Sequence, residues 1–120
     1  MKEQIKFDRG TVLRILETAS YQSSWFEILI PHESEGMVHP NSETSSEKWA
    51  DIIVNGGSLI AEDFEDDTEY IFDIHSMEKG WQKFSKDYKE EAEDIINDCA
   101  DYFDCDIYMQ FVILGEYVYG

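Results

Sequence analysis

Acidic side chains are the most concentrated chemical groups in this sequence. In the stretch AEDFEDDTEYIFD, residues 61–73, seven of thirteen residues are Asp or Glu and none is basic. Carboxylates at this density can bind a hard cation, supply acid–base catalysis, or present negative charge to a basic partner. The residues around them decide among these three roles.

The segment that begins at Asp63 does not fit a calcium loop. An EF-hand loop requires Gly at its sixth position and Glu at its twelfth. Counted from Asp63, those positions hold Thr68 and Ile74. A second acidic cluster, at residues 101–106, is interpreted as a solvated turn rather than as a cation site.

Zinc and nucleophilic chemistry also lack their usual patterns. Cys99 and Cys105 are too far apart for the close C-x₂₋₄-C spacing, and the histidines at positions 32, 39 and 75 form no H-x₃₋₅-H pair. The sequence contains no G-x-S-x-G motif. Two carboxylates within catalytic reach are expected by chance among 27 acids. We therefore predict no enzymatic activity, no metal and no cofactor.

The overall charge limits the partners. The 120 residues predict one domain, and a content of 42% apolar residues is enough for a packed core. The net charge is −18, from 27 acids and 9 bases, which disfavours direct binding to nucleic acid or anionic membranes. The start, MKEQIKFDRG, has no apolar stretch of a signal peptide, and no apolar run reaches 18 residues. We expect a cytoplasmic protein, with both cysteines reduced and buried, whose partner presents a basic surface.

The elements that must position these acids follow from the hydrophobic spacing. The predicted order is α-β-α-β-β-α-β. Helices are predicted at 11–20, 45–55 and 76–99, and strands at 25–30, 58–62, 68–74 and 106–114, with a polar loop at 31–44. The two middle strands flank DFEDD and predict a hairpin with the acids at its turn.

Helix ends are marked by local signals. Asp8 or Thr11 is the expected N-cap of the first helix, and residues 44–47 fit a capping box before the second. Gly56 and its neighbour supply a stop, and a break in the third helix is expected near Asp87.

These elements predict a small α+β domain with about four mostly antiparallel strands and three to four helices. The predicted core consists of the apolar residues that recur on one side of each element: Leu13, Leu16, Ile28, Ile52, Ile53, Phe72, Trp81, Phe84, Ile96, Phe111 and Ile113.

In long stretches of the chain, no basic residue balances the negative charge of the acids. No Lys or Arg lies between Arg14 and Lys48, between Lys48 and Lys79, or after Lys89, whereas residues 87–106 contain nine acids. Aromatic residues are interleaved with these acids and add contact area for a partner. Two dense acidic clusters therefore predict a protein-binding surface, although a solvated surface is the simpler interpretation of either cluster alone.

The predicted contacts come from both acidic clusters. In the second cluster, Glu90, Asp94 and Asp98 have the i, i+4, i+8 spacing of one helix face. Tyr102 and Phe103 are the aromatic residues expected to be most exposed. The complete predicted contact set is Asp63, Glu65, Asp66, Asp67, Glu90, Asp94, Asp98, Asp101, Tyr102, Phe103 and Asp104. Gln4 and Gln22 are expected on a neutral face.

The end of the chain, GEYVYG at residues 115–120, follows an apolar segment. It is similar to the C-termini of small proteins carried by phages, plasmids and conjugative elements. In size, charge and mixture of helix and strand, the whole chain resembles the acidic single-domain proteins of such elements, as in anti-CRISPR and antirestriction inhibitors. The resemblance implies an anti-defence role and carries over no site residue, because these groups are diverse in sequence.

The resulting hypothesis is an acidic inhibitor that partly mimics nucleic acid. Residues 62–73 and 90–106 would together block a positively charged nucleic-acid channel, with a CRISPR effector as the leading candidate. Two alternatives stay open at this point. One is an immunity protein or antitoxin for a basic nuclease, and the other is a regulatory or scaffold protein of a mobile element.

Overall fold

Helices pack on a three-stranded antiparallel sheet. The computed structural model describes residues 5–21 and 23–119, so Gln4 and Gln22 lie outside the described residues. The elements are α1 (Arg9–Tyr21), β1 (Phe26–Leu29), a 3₁₀ helix (His32–Met37), α2 (Ser45–Val54), β2 (Leu59–Asp63), β3 (Glu69–Phe72), α3 (Ile74–Asp87), α4 (Lys89–Ile96) and α5 (Tyr102–Ile113). The described residues form an α+β domain with three strands, where about four were predicted. They also form five α-helices and one 3₁₀ helix, where three to four helices were predicted.

The sheet has the order β1-β2-β3, and the predicted hairpin is confirmed as β2 and β3. Alternate residues such as Phe26, Ile28, Leu59, Ala61 and Phe72 are buried, so one face of the sheet belongs to the core. The intervening residues form the opposite face, which we call the outer face.

The predicted last strand, 106–114, is wrong. This segment is the larger part of α5, in which every residue from Asp104 to Phe111 is buried. When every side of a segment is buried, its apolar residues show no periodicity that distinguishes a helix from a strand. The deciding signal is the capping box at its start, where the Asp101 carboxylate accepts a hydrogen bond from the Asp104 N–H at 2.9 Å.

Most of the predicted helix ends are confirmed. The Asp8 carboxylate accepts from the Thr11 N–H at 2.9 Å at the start of α1, and the capping box at Thr44 opens α2. Gly56, with φ of +89°, adopts the left-handed conformation that ends α2. The predicted third helix is divided at Tyr88 into α3 and α4, close to the expected break. A further capping box, at Asp73, starts α3 earlier than predicted.

Eight of the eleven predicted core residues are buried, and three lie at the edge of the core. Leu13, Trp81 and Ile96 are half-buried. Tyr108 is fully buried at the centre, where its ring packs on Trp81 and Phe84, and its hydroxyl donates to the Met77 carbonyl at 2.7 Å.

The buried Asp51 carboxylate ties the polar loop to two helices. It accepts hydrogen bonds from Arg9 Nε at 2.7 Å, from the His39 N–H at 3.0 Å and from the Ser42 hydroxyl. Burial raises the pKa of this carboxyl, but the three donors outweigh burial, and the pKa lies below its usual value. The loop is therefore held by an acid rather than left free.

Gln110 fixes the segment that follows α5. This side chain is fully buried, and its Oε1 accepts from the N–H groups of Val118 and Tyr119, each at 2.8 Å. Its Nε2 donates to the Asp106 carboxylate and to the Tyr119 carbonyl, each at 3.0 Å. One amide thus satisfies four polar partners and holds residues 118–119 against the core.

Replacing this amide tests its role. Gln110→Leu removes the partner of the Val118 N–H and of the Tyr119 N–H and carbonyl, and it removes one of the two hydrogen bonds to the Asp106 carboxylate. Leaving a buried polar group unsatisfied costs ~1–3 kcal/mol. We expect the free energy of unfolding in urea to fall by about 3 kcal/mol, with faster hydrogen exchange at Val118 and Tyr119. Gln82→Leu, on the exposed side of α3, is the matched control and should change stability by less than ~0.5 kcal/mol. If Gln110→Leu lowered the free energy of unfolding by less than ~1 kcal/mol, the Gln110 amide would not be what holds residues 118–119 against the core.

Candidate interaction surface

Residues 63–68, which comprise the last residue of β2 and the loop to β3, are called the acidic turn. The Asp63 N–H donates to the Thr68 carbonyl at 2.8 Å and closes the hairpin. The Asp67 N–H donates back to the Asp63 carbonyl at 2.8 Å, and the Phe64 N–H donates to the Trp25 carbonyl at 2.8 Å. The acidic turn is therefore a fixed structure, joined to the start of β1.

Asp63 was predicted as a contact residue, and the structure corrects this. Its side chain is buried, with Oδ1 accepting from the Glu65 N–H at 2.8 Å and Oδ2 accepting from the Tyr119 hydroxyl at 2.8 Å. The hydrogen bond to Asp63 raises the pKa of the Tyr119 phenol to about 12. Asp63 shapes the turn from within, and its side chain is not part of the exposed surface.

The other three acids of the acidic turn are exposed. Asp66 accepts from the Thr68 N–H at 3.0 Å through Oδ1, which is the usual role of Asp in a turn. Asp67 has φ of +58°, a left-handed conformation that Asp tolerates better than most residues. Glu65 makes no side-chain hydrogen bond or ion pair with any described residue. Turn geometry thus explains in part why Asp occurs at positions 66 and 67, but it does not explain why position 65 is Glu.

The strand register assembles a row of glutamates beside the acidic turn. Glu62 on β2 lies directly opposite Glu27 on β1 and Glu69 on β3. We call these three the glutamate row; they lie on the outer face. Among the described residues, no Lys or Arg forms an ion pair with any of them. Like charges placed opposite each other on a sheet reduce stability.

Next to the glutamate row lies a row of apolar residues. Leu29, Ile60 and Ile71 are also paired across the three strands, two residues along each strand from a glutamate. Ile71 is 73% exposed, and Leu29 and Ile60 are half-buried. We call Leu29, Ile60 and Ile71 the apolar row.

The second predicted cluster does not form one helical face. α4 ends at Ile96, so Asp98 lies outside the helix, with φ of +58°. The Cys99 N–H donates to the Asp94 carbonyl and the Asp98 N–H to the Ile95 carbonyl, which is the Schellman pattern of a helix end. The predicted row of Glu90, Asp94 and Asp98 is therefore wrong. The Asp98 carboxylate forms an ion pair with Arg14 Nε at 2.7 Å.

Asp104 is a buried part of a helix cap, and its predicted role as a contact residue is corrected. Its Oδ2 accepts from the Asp101 N–H at 3.3 Å. Burial, together with the charges of Asp101 and Asp94, raises the pKa of the Asp104 carboxyl from 3.8 to about 6. Of its neighbours, Asp101 and Phe103 are exposed, and Tyr102 is half-buried.

Interior contacts connect the acidic turn to the start of α5. Asp63 binds Tyr119, whose ring lies 5.3 Å from that of Trp25, and Trp25 Nε1 donates to the Asp106 carboxylate at 2.7 Å. Asp63 of the first acidic cluster and Asp106 of the second are therefore connected through the half-buried Tyr119 and the buried Trp25. Of the predicted contacts, seven are exposed and two are half-buried: Glu65, Asp66, Asp67, Glu90, Asp98, Asp101 and Phe103 are exposed, and Asp94 and Tyr102 are half-buried.

Cysteine and histidine positions do not converge on a site. Cys105 is buried as expected, and burial raises the pKa of its thiol to about 12, whereas Cys99 is exposed, contrary to the prediction. His75, at the start of α3, is exposed and lies 3.6 Å from Glu78. Within residues 5–21 and 23–119, no group of three or more Cys, His, Asp or Glu side chains is arranged to hold a metal ion.

A broad groove lies between the segment before α1 and helices α3 and α4. It is lined by apolar side chains such as Phe7 and Trp81, and by charges of both signs, such as Lys6 and Glu93. None of residues 63–68 lines it, so the groove is separate from the acidic turn.

No protein-family model, no curated protein and no solved structure shows significant similarity to this sequence or its fold. None of the described helices has both the length and the apolar content needed to cross a bilayer.

The raised pKa of Asp104 makes a pH-dependent prediction. The folded state holds a proton that the unfolded state has lost between about pH 4 and 6, so this group's contribution to stability falls as the pH rises through that range. Asp104→Asn mimics the protonated carboxyl and keeps an acceptor for the Asp101 N–H. We expect its melting temperature to exceed that of the parent protein by about 4 °C or more at pH 7.5, with the difference vanishing near pH 4.

Glu93→Gln, an exposed single-charge change on α4, is the control for this experiment. Its effect on the melting temperature should be small and nearly independent of pH. If Asp104→Asn changed the melting temperature equally at pH 4 and pH 7.5, the pKa of the Asp104 carboxyl would not be raised by its surroundings.

Proposed function

We propose that this chain is a non-catalytic cytoplasmic inhibitor that binds a basic nucleic-acid-binding protein and competes with nucleic acid for its channel. A CRISPR effector or a restriction enzyme is the expected class of target. The observation that carries the proposal is the acidic end of the β2–β3 hairpin. There Glu65, Asp66 and Asp67 are exposed beside the glutamate row, and no described basic residue forms an ion pair with them.

The charge density of this end supports mimicry. Adjacent strands lie ~4.8 Å apart, so the glutamate row places three carboxylates within about 10 Å. The acidic turn adds three more where the same strands end. A DNA duplex carries one charge per ~1.7 Å of its axis, which is about six charges over the same length. The two densities are of the same order.

The energetic balance also favours a partner. Like charges held opposite one another destabilise the free protein, and this repulsion is relieved when a cation approaches. An arginine-lined channel provides charge-assisted hydrogen bonds to such carboxylates. The long-range field of the acids would also accelerate association, in a way that salt suppresses.

The structure allows these charges to be removed without disturbing the turn. In the variant Glu65→Gln, Asp66→Asn, Asp67→Gly, asparagine keeps the acceptor for the Thr68 N–H, and glycine suits the positive φ at position 67. We expect this variant to keep the parent melting temperature within a few degrees. Its inhibition of the target should weaken by about tenfold or more, mainly through slower association.

The matched control removes three exposed carboxylates elsewhere: Glu33→Gln, Glu35→Gln, Glu43→Gln. Both variants change the net charge by the same amount, so a loss confined to the acidic-turn variant assigns the effect to position rather than to total charge. The measurement is a pulldown against a panel of basic nucleases and CRISPR effectors, followed by competition with target DNA at low and high salt. A bound partner that still takes up DNA with unchanged affinity would refute channel blocking.

The same experiment separates this proposal from an immunity protein. An immunity protein would bind one toxin nuclease, and the genes of the two proteins would be neighbours. The gene of an inhibitor of host defence would instead lie among phage or conjugation genes. A panel result restricted to a neighbouring toxin would favour immunity.

A further inference from the structure

The outer face of the sheet combines two rows of opposite character. The glutamate row and the apolar row each run across β1, β2 and β3. Ile71 is 73% exposed, and Glu27 and Glu69 are exposed as well, so the face is open along β3 and at the end of β1 near the acidic turn. An apolar row beside an unneutralised acidic row is the composition of a contact surface rather than of a solvated one.

We propose that this face is a docking surface for an amphipathic basic helix of a partner protein. The apolar side chains of that helix would cover Leu29, Ile60 and Ile71, and its Arg or Lys side chains would reach Glu27, Glu62 and Glu69. The proposal rests on the proposed function, because it names the kind of segment that the same acidic end of the sheet engages.

The spacing of the rows matches a helix. Along each row the residues are separated by one strand-to-strand distance of ~4.8 Å, and successive turns of an α-helix are ~5.4 Å apart. Residues at i, i+4 and i+7 of a helix lying across the strands would therefore meet the three strands in turn. The two rows are two residues apart along each strand, which is about 7 Å. That separation matches the distance between neighbouring stripes on one helix.

Charge selects this occupant over a second copy of the chain. Two copies packed face to face would bring six glutamates together between molecules that each carry a net charge of −18. A basic helix instead pairs each carboxylate with a cation, while the apolar row is shielded from water.

The test uses two synthetic helical peptides titrated into the isotope-labelled protein and followed by amide NMR shifts. The first carries leucines at i, i+4 and i+7 with an adjacent stripe of arginines. The second keeps the arginines and replaces each leucine with glutamine, which preserves helix propensity. We expect shifts centred on residues 27–29, 60–62 and 69–71. We also expect the leucine peptide to bind about tenfold more tightly than the glutamine peptide.

Variants assign the contact. Ile71→Thr keeps strand propensity and should lower the affinity for the leucine peptide by about three- to tenfold, while the affinity for the glutamine peptide stays unchanged. Val54→Thr, a change of the same kind at the exposed end of α2, is the control and should affect neither peptide. Glu62→Gln with Glu69→Gln should weaken both peptides.

Three outcomes would overturn the proposal: no binding at millimolar peptide, equal affinity for the two peptides, or shifts centred on α4 or on the acidic turn alone. The peptide experiment is independent of any nuclease. If the peptides bind as expected while the partner captured in the pulldown still takes up DNA with unchanged affinity, the proposed function fails and the docking surface stands. If the peptides do not bind while the acidic-turn variant loses inhibition, the docking surface fails and the proposed function stands.

Discussion

The burial of α5 from Asp104 to Phe111 is the constraint around which the rest of the structure is arranged. This helix packs against α1, α3, α4 and β3, and so no side of it faces water over its central turns. Its polar residues must therefore find partners inside the protein. The Asp106 carboxylate accepts a hydrogen bond from Trp25 Nε1. The Gln110 side-chain oxygen accepts hydrogen bonds from the N–H groups of residues 118 and 119. Through these two side chains, α5 determines where β1 begins and where the following segment lies.

The acids of this chain divide into two groups with different physical consequences. Asp51, Asp63 and Asp104 are buried and hydrogen-bonded, and they build a loop, a turn and a helix cap. Apart from Asp66, which accepts from the Thr68 N–H, the acidic side chains of Glu65, Asp67 and the glutamate row have no hydrogen-bond or ion-pair partner among the described residues. Acidity alone is therefore a poor guide to function here. Exposure and the absence of a countercharge are the informative properties.

Local signals made the hairpin, the capping box at Thr44 and the division of the third helix predictable from sequence. The helical state of 102–113 was not predictable from periodicity, because burial on all sides removes the contrast on which periodicity depends. The burial of Asp63 depends on Tyr119, which is 56 residues away in the chain. The glutamate row requires the register of β1 against β2, and no local pattern contains that register.

The contacts of Val118 and Tyr119 have a consequence for biosynthesis. The hydrogen bonds that complete the Gln110 site and the Asp63 side chain come from the last residues that the structure describes. Until residue 119 has emerged from the ribosome, Gln110 lacks three of its four partners and Asp63 lacks its phenol. Folding to the final state therefore requires that the chain has been synthesised through residue 119. Partly synthesised chains would expose the polar interior of α5 to chaperones and proteases.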